Sequence, residues 1–280
     1  MRMISAEADD LAAVDRVRRE LSGVHRLGVA FSGGVDSSVL LAIAADTLGP
    51  ADVVGILGVS PSLAAAERRA AHEVAELIGV EVVEVPTFEG DRPEYVRNGP
   101  DRCYFCKDEL FTRIGAEVVR AHRLDAVAYG ENADDARRPD RPGARAASDH
   151  RVLRPLAAGG LAKAAVRRIA RAYELPCADK PAAPCLASGI PHFQPVEPAK
   201  LAQIERAEAA LRPLGLVDVR VRHHGDVARV ELTEHDLARA FTAPLRDAIR
   251  SAVLAAGFRF VAVDLAGIQS GAFTLPLVSG

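Results

Sequence analysis

The chain has 280 residues, of which 49% are hydrophobic and 26% charged, and its 35 basic and 38 acidic side chains leave a formal net charge of −3. This balance is typical of a soluble globular protein of about two domains, and it excludes a disordered, collagen-like or membrane-spanning chain. The acidic start MRMISAEADD argues against a secretion signal. The slight negative charge argues against a general nucleic-acid surface. We therefore expect a cytoplasmic protein with neither a membrane nor a nucleic-acid partner.

Helices and short apolar runs alternate through the first half of the chain. In chain order the pattern predicts helix 6–22, strand 27–31, helix 39–49, strand 51–59, helix 62–78, strand 80–85, helix 108–122 and strand 125–130. Short continuous apolar runs between helices are typical of buried parallel strands. We predict an α/β fold with a parallel sheet, which binds its ligands at the carboxyl ends of the strands.

The second half of the chain changes character. Residues 136–150 are polar and rich in Pro and Arg, which predicts a loop. The later elements are helix 160–176, an irregular Pro-rich segment 177–198, helix 197–215, strands 217–224 and 226–232, helix 244–256 and strand 258–265. We expect an ATP-binding domain over 1–180, a cysteine-bearing linker over 181–196 and a small α+β domain over 197–280, which binds substrate or forms oligomer contacts.

The sequence SGGVDSS follows the first predicted strand directly and precedes a helix. Its glycines allow a tight turn whose amides, with the helix N-terminus, bind an anion. We predict that this run binds ATP and its pyrophosphate, through Ser32, Gly33, Gly34, Val35, Asp36, Ser37 and Ser38. Within it, Asp36 brings Mg²⁺ or orients the loop. The loop lacks G-K-[ST], so it differs from the loop that holds a γ-phosphate for hydrolysis. It resembles the PP-loop, which holds pyrophosphate while a substrate oxygen attacks the α-phosphate of ATP. The alternative is a turn that only connects strand to helix.

Further motifs extend the resemblance over nearly the whole chain. They are RCYFCK (102–107), YGENADD (129–135), GLAK (160–163), DKPAAPCLAS (179–188), VRVRHHGDVARVE (219–231) and DLAGIQSG (264–271). With these motifs the chain resembles the PP-loop ATP pyrophosphatases, and among them the LarE-type sulfur transferases. The resemblance implies a PP-loop domain, ATP and Mg²⁺ as cofactors, a small-molecule acceptor and a homo-oligomer.

The resemblance also implies the chemistry. In the LarE-type family, ATP adenylates a carboxylate of a pyridinium dicarboxylate mononucleotide, a cysteine thiolate displaces AMP, and cleavage of that cysteine's own C–S bond leaves a thiocarboxylate. Cys185 matches the sacrificial cysteine. Related members instead hold a [4Fe–4S] cluster on three cysteines, for which Cys103, Cys106 and Cys185 are the candidates. A buried structural thiol remains the alternative for Cys185, and a resolving dithiol or helix packing for Cys103 and Cys106.

Two further groups of side chains have the chemistry of a binding site. Arg220 and Arg222 share one face of a strand, and Arg229 lies on the next strand, so the three suit a phosphate or carboxylate acceptor. Asp134 and Asp135 follow the fourth strand and suit Mg²⁺ or the ribose of the nucleotide. Glu208 and Glu231 are candidates for a metal or substrate contact. A solvated strand or helix face is the alternative for the arginines and glutamates, and a helix cap for the aspartates.

The chain departs from the LarE-type pattern at three places near the acceptor. Where the family has Arg after CLAS the chain has Gly189, where it has Gly-Tyr-Arg the chain has Gly267-Ile268-Gln269, and Ala178 replaces an aromatic residue. We therefore predict an ATP-dependent sulfur transferase whose acceptor differs from the nickel-pincer precursor. Two rival functions remain: a PP-loop ligase that uses ammonia, and a non-catalytic sensor that binds a nucleotide or a cluster.

Overall fold

The computed structural model describes residues 3, 7–137, 142–216 and 218–269. The chain forms two compact units. Unit 1 comprises Met1–Ser60, Ala65–Glu89 and Cys103–Ala183, and unit 2 comprises Pro61–Ala64, Gly90–Arg102 and Pro184–Gly280. Two short stretches from the first half of the sequence thus belong with the C-terminal unit. The domain limits given above stay a prediction.

The elements follow the predicted alternation. The strands are β1 Leu27–Ala30, β2 Val53–Val59, β3 Glu81–Pro86, β4 Ala126–Tyr129, β5 Val219–His224, β6 Val227–Leu232 and β7 Phe260–Val263. The helices are α1 Ala8–Glu20, α2 Val35–Leu48, α3 Ala65–Ile78, α4 Pro93–Val96, α5 Arg102–Arg113, α6 Val119–Ala121, α7 Ala133–Ala136, α8 Pro142–Asp149, α9 Pro155–Ala158, α10 Lys163–Ala172, α11 Pro198–Leu211, α12 Glu234–Ala240 and α13 Leu245–Ala255.

Unit 1 is built on a parallel sheet of four strands among its described residues, in the order β3-β2-β1-β4. The central strand β1 pairs with β2 from Leu27↔Val53 and with β4 from Leu27↔Ala126. Helix α2 is almost entirely buried and packs against β1 and the helices α1, α3 and α10. The carboxyl ends of β1 and β4 therefore open at the same edge. The predicted α/β fold with a parallel sheet is confirmed.

The prediction of a loop over 136–150 is wrong for residues 142–149. Residues 142–149 form α8, which begins at Pro142. Ala146 and Ala147 are fully buried in the core that also contains Phe111 and Val152. Pro is favourable at the first position of a helix and Ala within it, so the Pro- and Arg-rich composition of 136–150 concealed a helix with a buried face of small residues. Residues 138–141 lie outside the described part.

Unit 2 contains a second sheet with the strand order β5-β6-β7. Strands β5 and β6 are antiparallel, from Val219↔Leu232 to His224↔Val227, and β7 runs parallel to β6. One face of this sheet is apolar and packs on α11, which in turn contacts α13. The predicted small C-terminal α+β unit is confirmed. Within it, α12 was not predicted, and the helix predicted over 197–215 ends at Leu211, before a 3₁₀ turn over Arg212–Leu214.

The helices of the described part of the chain are short or carry charged residues. None of its helices combines the length and the apolar character that a bilayer crossing needs.

A candidate ATP site and a cysteine-bearing turn

The predicted phosphate loop connects β1 to α2 in unit 1. Gly33 has φ +70°, and a Cβ there would lie 2.8 Å from the Cα of Ala71 in α3. Only glycine fits this close approach without a shift of the backbone. The Ser37 hydroxyl donates to the carbonyl of Gly34 at 3.0 Å and accepts from the amide of Ser32 at 3.2 Å. The loop is thus fixed by its own side chains before any ligand binds.

The helix behind the loop presents its N-terminus to this edge of the sheet. Helix α2 begins at Val35 inside the motif, and Gly34 at its N-cap supplies no side chain to bond the first amides. Those amides and the helix dipole suit a phosphate group. Ser38 lies one turn deeper, is fully buried and lies next to the buried thiol of Cys177. Of the predicted loop residues, Ser38 is therefore the least accessible.

A network of carboxylates, an amide and an ammonium group lies beside the loop. Asn132 donates through Nδ2 to Asp36 Oδ1 at 3.0 Å and to Asp135 Oδ2 at 2.9 Å. Lys163 Nζ lies 2.5 Å from Asp36 Oδ2, and its own backbone amide donates to Asp134 Oδ2 at 2.8 Å. The structure therefore brings together three predicted site residues, Asp36, Asp134 and Asp135. They meet at the carboxyl ends of β1 and β4.

Asn132 and Lys163 were not predicted as site residues, although both lie in motifs that carry the resemblance. Asn132 caps α7, since its Oδ1 accepts from the amides of Asp134 and Asp135 at 3.0 Å each. Gly130 permits this arrangement, because a Cβ there would lie 2.6 Å from the amide nitrogen of Ser37. A polar residue after a strand and a Lys at a helix start were the available signals.

The oxygen ligands beside the loop fit a magnesium ion. Mg²⁺ usually binds proteins through one or two carboxylates and takes its other ligands from phosphates and water. Asp36 and Asp135 share one amide donor and form such a pair. Within the described residues, no three His, Cys, Asp or Glu side chains lie close enough together to hold a metal ion by themselves. This finding gives no support to a [4Fe–4S] cluster on Cys103, Cys106 and Cys185.

The four cysteines lie in different surroundings. Cys103 is exposed and Cys106 half-buried, both in the first two turns of α5. Cys177 is buried, and burial raises the pKa of its thiol. Cys185 is exposed in unit 2, as the residue before a 3₁₀ turn over Leu186–Gly189, and its carbonyl accepts from the amide of Ser188 at 2.9 Å. Of these thiols, Cys185 combines exposure with a position outside any long helix.

The predicted acceptor arginines lie on the second sheet, and each contacts a carboxylate. Arg222 forms a buried two-point ion pair with Glu231, through Nε at 2.9 Å and NH2 at 2.6 Å. Arg229 contacts Glu231 at 3.1 Å and Asp264 at 3.3 Å. Arg220 contacts Asp218 at 2.8 Å. The arginines thus face neighbouring carboxylates that reduce the net positive charge offered to an anion.

Arg222 also reaches the cysteine-bearing turn. Its NH1 donates to the carbonyl of Ser188 at 2.9 Å. Its side chain is 6% exposed, compared with 13% for Arg220 and 30% for Arg229. Glu208 lies nearby on α11, where its Oε1 accepts from the amide of Val221 at 3.0 Å, and burial raises its pKa. Arg229 is therefore the most accessible of the three cations. The donors of Arg222 are largely used in hydrogen bonds to Glu231 and to the Ser188 carbonyl.

Comparisons with known proteins agree with this arrangement. A family model described as asparagine synthase, a PP-loop family, matches residues 12–134 and so covers the phosphate loop, with Asp36, and extends to Asp134. An uncharacterized protein of Synechocystis is 37% identical over 258 residues, which is 92% of this chain and 95% of that protein. Pyridinium-3,5-bisthiocarboxylic acid mononucleotide synthase of Lactiplantibacillus plantarum is 31% identical over 255 residues, 90% of each chain. The chain belongs to the LarE-type family of PP-loop proteins.

Membership in the LarE-type family identifies the chain as an ATP-dependent PP-loop enzyme, and PP-loop enzymes bind ATP with Mg²⁺. A further relative, an uncharacterized protein of Methanocaldococcus jannaschii, is 31% identical over 144 residues, 51% of this chain and 55% of that protein. The two longer matches span both units. The similarity of this LarE-type chain is therefore not confined to the ATP-binding part.

Proposed function

We propose that the protein is an ATP-dependent sulfur transferase that adenylates a carboxylate of a small acceptor and delivers sulfur from Cys185. The observation that carries the proposal is the preformed loop Ser32–Gly34 with the Asp36–Asn132–Lys163 network beside it. Similarity to a synthase of a bisthiocarboxylic acid mononucleotide supports sulfur as the transferred atom. The exposed thiol of Cys185 supplies the nucleophile.

In the proposed ATP site, each polar group of the loop and of the network beside it has a role. The amides of Gly33, Gly34 and Val35 bind the oxygens of the leaving pyrophosphate. Asp36 and Asp135 would hold Mg²⁺, which would neutralise charge on the phosphates. Lys163 holds its ammonium group against Asp36 and adds a second positive charge at the site of bond cleavage. Asp134 fixes the start of α10 and thereby the backbone of Lys163.

The proposed reaction has three steps, and none needs an oxidant or a reductant. A carboxylate oxygen of the acceptor attacks the α-phosphorus of ATP, the bond to the β-phosphate oxygen breaks, and pyrophosphate leaves. The Cys185 thiolate attacks the acyl carbon, forms a thioester and expels AMP. Loss of the Cα proton then breaks the Cβ–S bond of Cys185, so sulfur leaves with the acceptor as a thiocarboxylate and residue 185 becomes dehydroalanine.

The acceptor in this proposal carries fewer negative charges than a pyridinium dicarboxylate mononucleotide. The chain has Gly189 and Gln269 where the family has arginines, and its remaining arginines contact neighbouring carboxylates. Arg229 and Arg220 are the proposed anion contacts, because they are more exposed than Arg222. Each charge-assisted hydrogen bond that is lost weakens the binding of an anionic acceptor by about 1.5–3 kcal/mol. The cytoplasmic location and the homo-oligomer also belong to the proposal.

The decisive experiment follows pyrophosphate release and the mass of the Cys185 peptide together. The full chain is incubated with Mg-ATP and either pyridinium-3,5-dicarboxylic acid mononucleotide or pyridine-3,5-dicarboxylate, which lacks the ribose phosphate. We expect both acceptors to release pyrophosphate, the less charged one faster, and the Cys185 peptide to lose the mass of H₂S. Faster reaction of the mononucleotide would contradict the proposed acceptor class, but not sulfur transfer.

Two exposed cysteines provide the variants that separate the mechanisms. Cys185→Ala should retain pyrophosphate release and lose thiocarboxylate formation, whereas the matched variant Cys103→Ala should retain both. Loss of product in Cys103→Ala, with iron in protein purified without oxygen, would favour the cluster route. An amide product from ammonia in Cys185→Ala would favour the ligase. Binding of ATP without pyrophosphate release for either acceptor would favour the sensor.

A further inference from the structure

Residues distant in sequence hold the turn that follows Cys185. The amide of Leu186 donates to the carbonyl of Ser62 at 3.0 Å, and the amide of Val196 donates to the carbonyl of Val96 at 2.9 Å. Both acceptors lie in the two short stretches of unit 2 that come from the first half of the chain. Within the Pro-rich segment predicted as a linker over 181–196, the stretch from Leu186 to Val196 is therefore hydrogen-bonded at both of its ends.

Asn98 is the centre of this attachment. Its side chain is fully buried, and Nδ2 donates to the carbonyls of Ile190 at 3.2 Å, Pro191 at 2.8 Å and Gln194 at 3.0 Å. These carbonyls belong to an irregular segment that has no regular ladder to satisfy them. One buried amide therefore replaces the hydrogen bonds that secondary structure would supply.

The backbone of Asn98 takes part as well. Asn98 has φ +56°, the left-handed region that residues with a Cβ seldom adopt. In this conformation its carbonyl accepts from the amide of Phe193 at 3.1 Å and from Nδ1 of His192 at 2.9 Å. Such strain persists where the surroundings fix it, and it clusters at functional sites. Here it lets one residue bond the segment from both its backbone and its side chain.

Arg102 orients Asn98 and reaches the turn directly. Its NH1 donates to Asn98 Oδ1 at 2.6 Å and to the carbonyl of Ala187 at 2.9 Å, and the residue is 8% exposed. Because the Asn98 oxygen accepts from a guanidinium group, its NH₂ group must face the carbonyls of the Pro-rich segment. Ala187 is two residues from Cys185. The cation thus fixes the turn on one side, while Arg222 bonds the next carbonyl, that of Ser188.

We propose that Asn98 and Arg102 are positioning residues that hold the Cys185 turn in the one conformation from which sulfur is delivered. The inference rests on the proposed function, in which the Cys185 thiolate attacks an adenylate. Attack needs a fixed approach, because a small misplacement of the nucleophile costs a large factor in rate. The adenylation step uses other residues, so loss of the pair should leave pyrophosphate release intact and slow the step at Cys185.

The test compares Arg102→Met with Arg102→Lys in the full chain. Methionine keeps most of the aliphatic part of the side chain and removes the donors, whereas lysine restores a positively charged donor group. In Arg102→Met we expect the amide hydrogens of residues 186–196 to exchange with solvent at least about tenfold faster. The exchange rates of the β5 amides should be unchanged. Cys185 conversion with Mg-ATP and pyridine-3,5-dicarboxylate should slow by about tenfold or more at unchanged KM for the acceptor, with lysine intermediate. Arg171→Met, which removes an exposed pair with Asp179, should change none of these.

The outcomes separate this inference from the proposed function. Conversion of Cys185 at the wild-type rate in Arg102→Met, or unchanged exchange in 186–196, would overturn the positioning role. No conversion of Cys185 in the wild-type protein would overturn the proposed function, and the inference with it. If Arg102→Met also loses protection in β5, Asn98→Asp decides. It keeps the acceptor for Arg102 and removes the NH₂ group that donates to the three carbonyls, so it should reproduce the loss with β5 intact.

Discussion

The proposed ATP site in unit 1 and the cysteine-bearing turn in unit 2 are built in different ways. The phosphate-binding motif is seven consecutive residues that run from the end of β1 into the first turn of α2, and Ser32, Gly34 and Ser37 bond one another. The turn after Cys185 makes its fixing bonds to Ser62 and Arg102, and the Arg102–Ala187 bond spans 85 residues of sequence. A local motif specifies the first site, and tertiary contacts specify the second.

The difference predicts how each site responds to change. A local loop fails when its own backbone is altered, so its sensitive positions lie within the motif. A turn held by residues distant in sequence fails when one of those hydrogen-bonding partners is lost. Its sensitive positions therefore lie in 61–64 and 90–102. The following variants test this contrast, from the largest expected effect to the smallest.

Gly33→Ala should weaken ATP binding strongly. The new Cβ would meet the backbone of Ala71 at 2.8 Å, at a φ of +70°. Strain of about 3 kcal/mol in the loop corresponds to a loss of affinity of about 100-fold, measurable by calorimetric titration with ATP. Gly79→Ala is the matched control, since Gly79 has φ +83° but no described atom within 4 Å of a Cβ. It should lower the unfolding free energy by about 1 kcal/mol and leave ATP affinity unchanged. Equal loss of affinity in both variants would contradict the steric explanation.

Lys163→Met should slow pyrophosphate release by about 10- to 100-fold, because it removes a positive charge beside Asp36 where charge develops on the phosphates. Lys163→Arg should recover part of the rate. Stopped-flow detection of pyrophosphate at saturating ATP gives the measurement. Lys180→Met removes a different ammonium group, which contacts Glu67 at 2.7 Å, and should have little effect. A normal rate in Lys163→Met would remove Lys163 from the ATP site.

Gly189→Ala should destabilise the protein by about 1–3 kcal/mol, measured by denaturant unfolding. A Cβ at Gly189 would lie 2.7 Å from the carbonyl of Val221 and 2.9 Å from Cδ1 of Ile204. Gly90→Ala, where no described atom lies within 4 Å of a Cβ, should be neutral or nearly so. The arginine usual in the family at position 189 therefore does not fit this turn without a shift of β5. An unfolding free energy equal to wild type in Gly189→Ala would show that the turn relaxes freely.

Stability should fall as the pH drops below about 6.5, the ordinary value for His, because burial lowers the pKa of His223. The folded state favours the neutral ring, whose Nε2 lies 3.1 Å from Gln203 Oε1, and Lys200 nearby opposes protonation. The contribution is present above pH 6.5 and is lost as pH falls through the lowered value. His223→Gln should flatten the dependence of Tm between pH 7 and pH 5. An unchanged slope would assign the pH dependence to other groups.

The sequence was sufficient for the parallel sheet of unit 1 and for the strand–loop–helix arrangement around SGGVDSS, since most of the strands are short apolar runs and the motif is contiguous. It failed at 142–149, where Ala146 and Ala147 form a buried face too small to show as a hydrophobic period. It also missed Asn132 and Lys163, whose partner Asp36 lies 96 and 127 residues away. The alternation of β5 placed Arg220 and Arg222 on one face, but it could not reveal that Glu231 pairs with Arg222.

The position of Asn98 has a consequence for synthesis of the chain. Asn98 leaves the ribosome 92 to 96 residues before the carbonyls that its side chain bonds. Until residues 190–194 emerge, its amide must remain hydrated, and unit 2 cannot close around it. The phosphate loop has no such delay. During translation the nucleotide-binding motif is therefore complete well before the cysteine turn acquires its fixed form, and a fragment that begins at residue 184 lacks the means to acquire it.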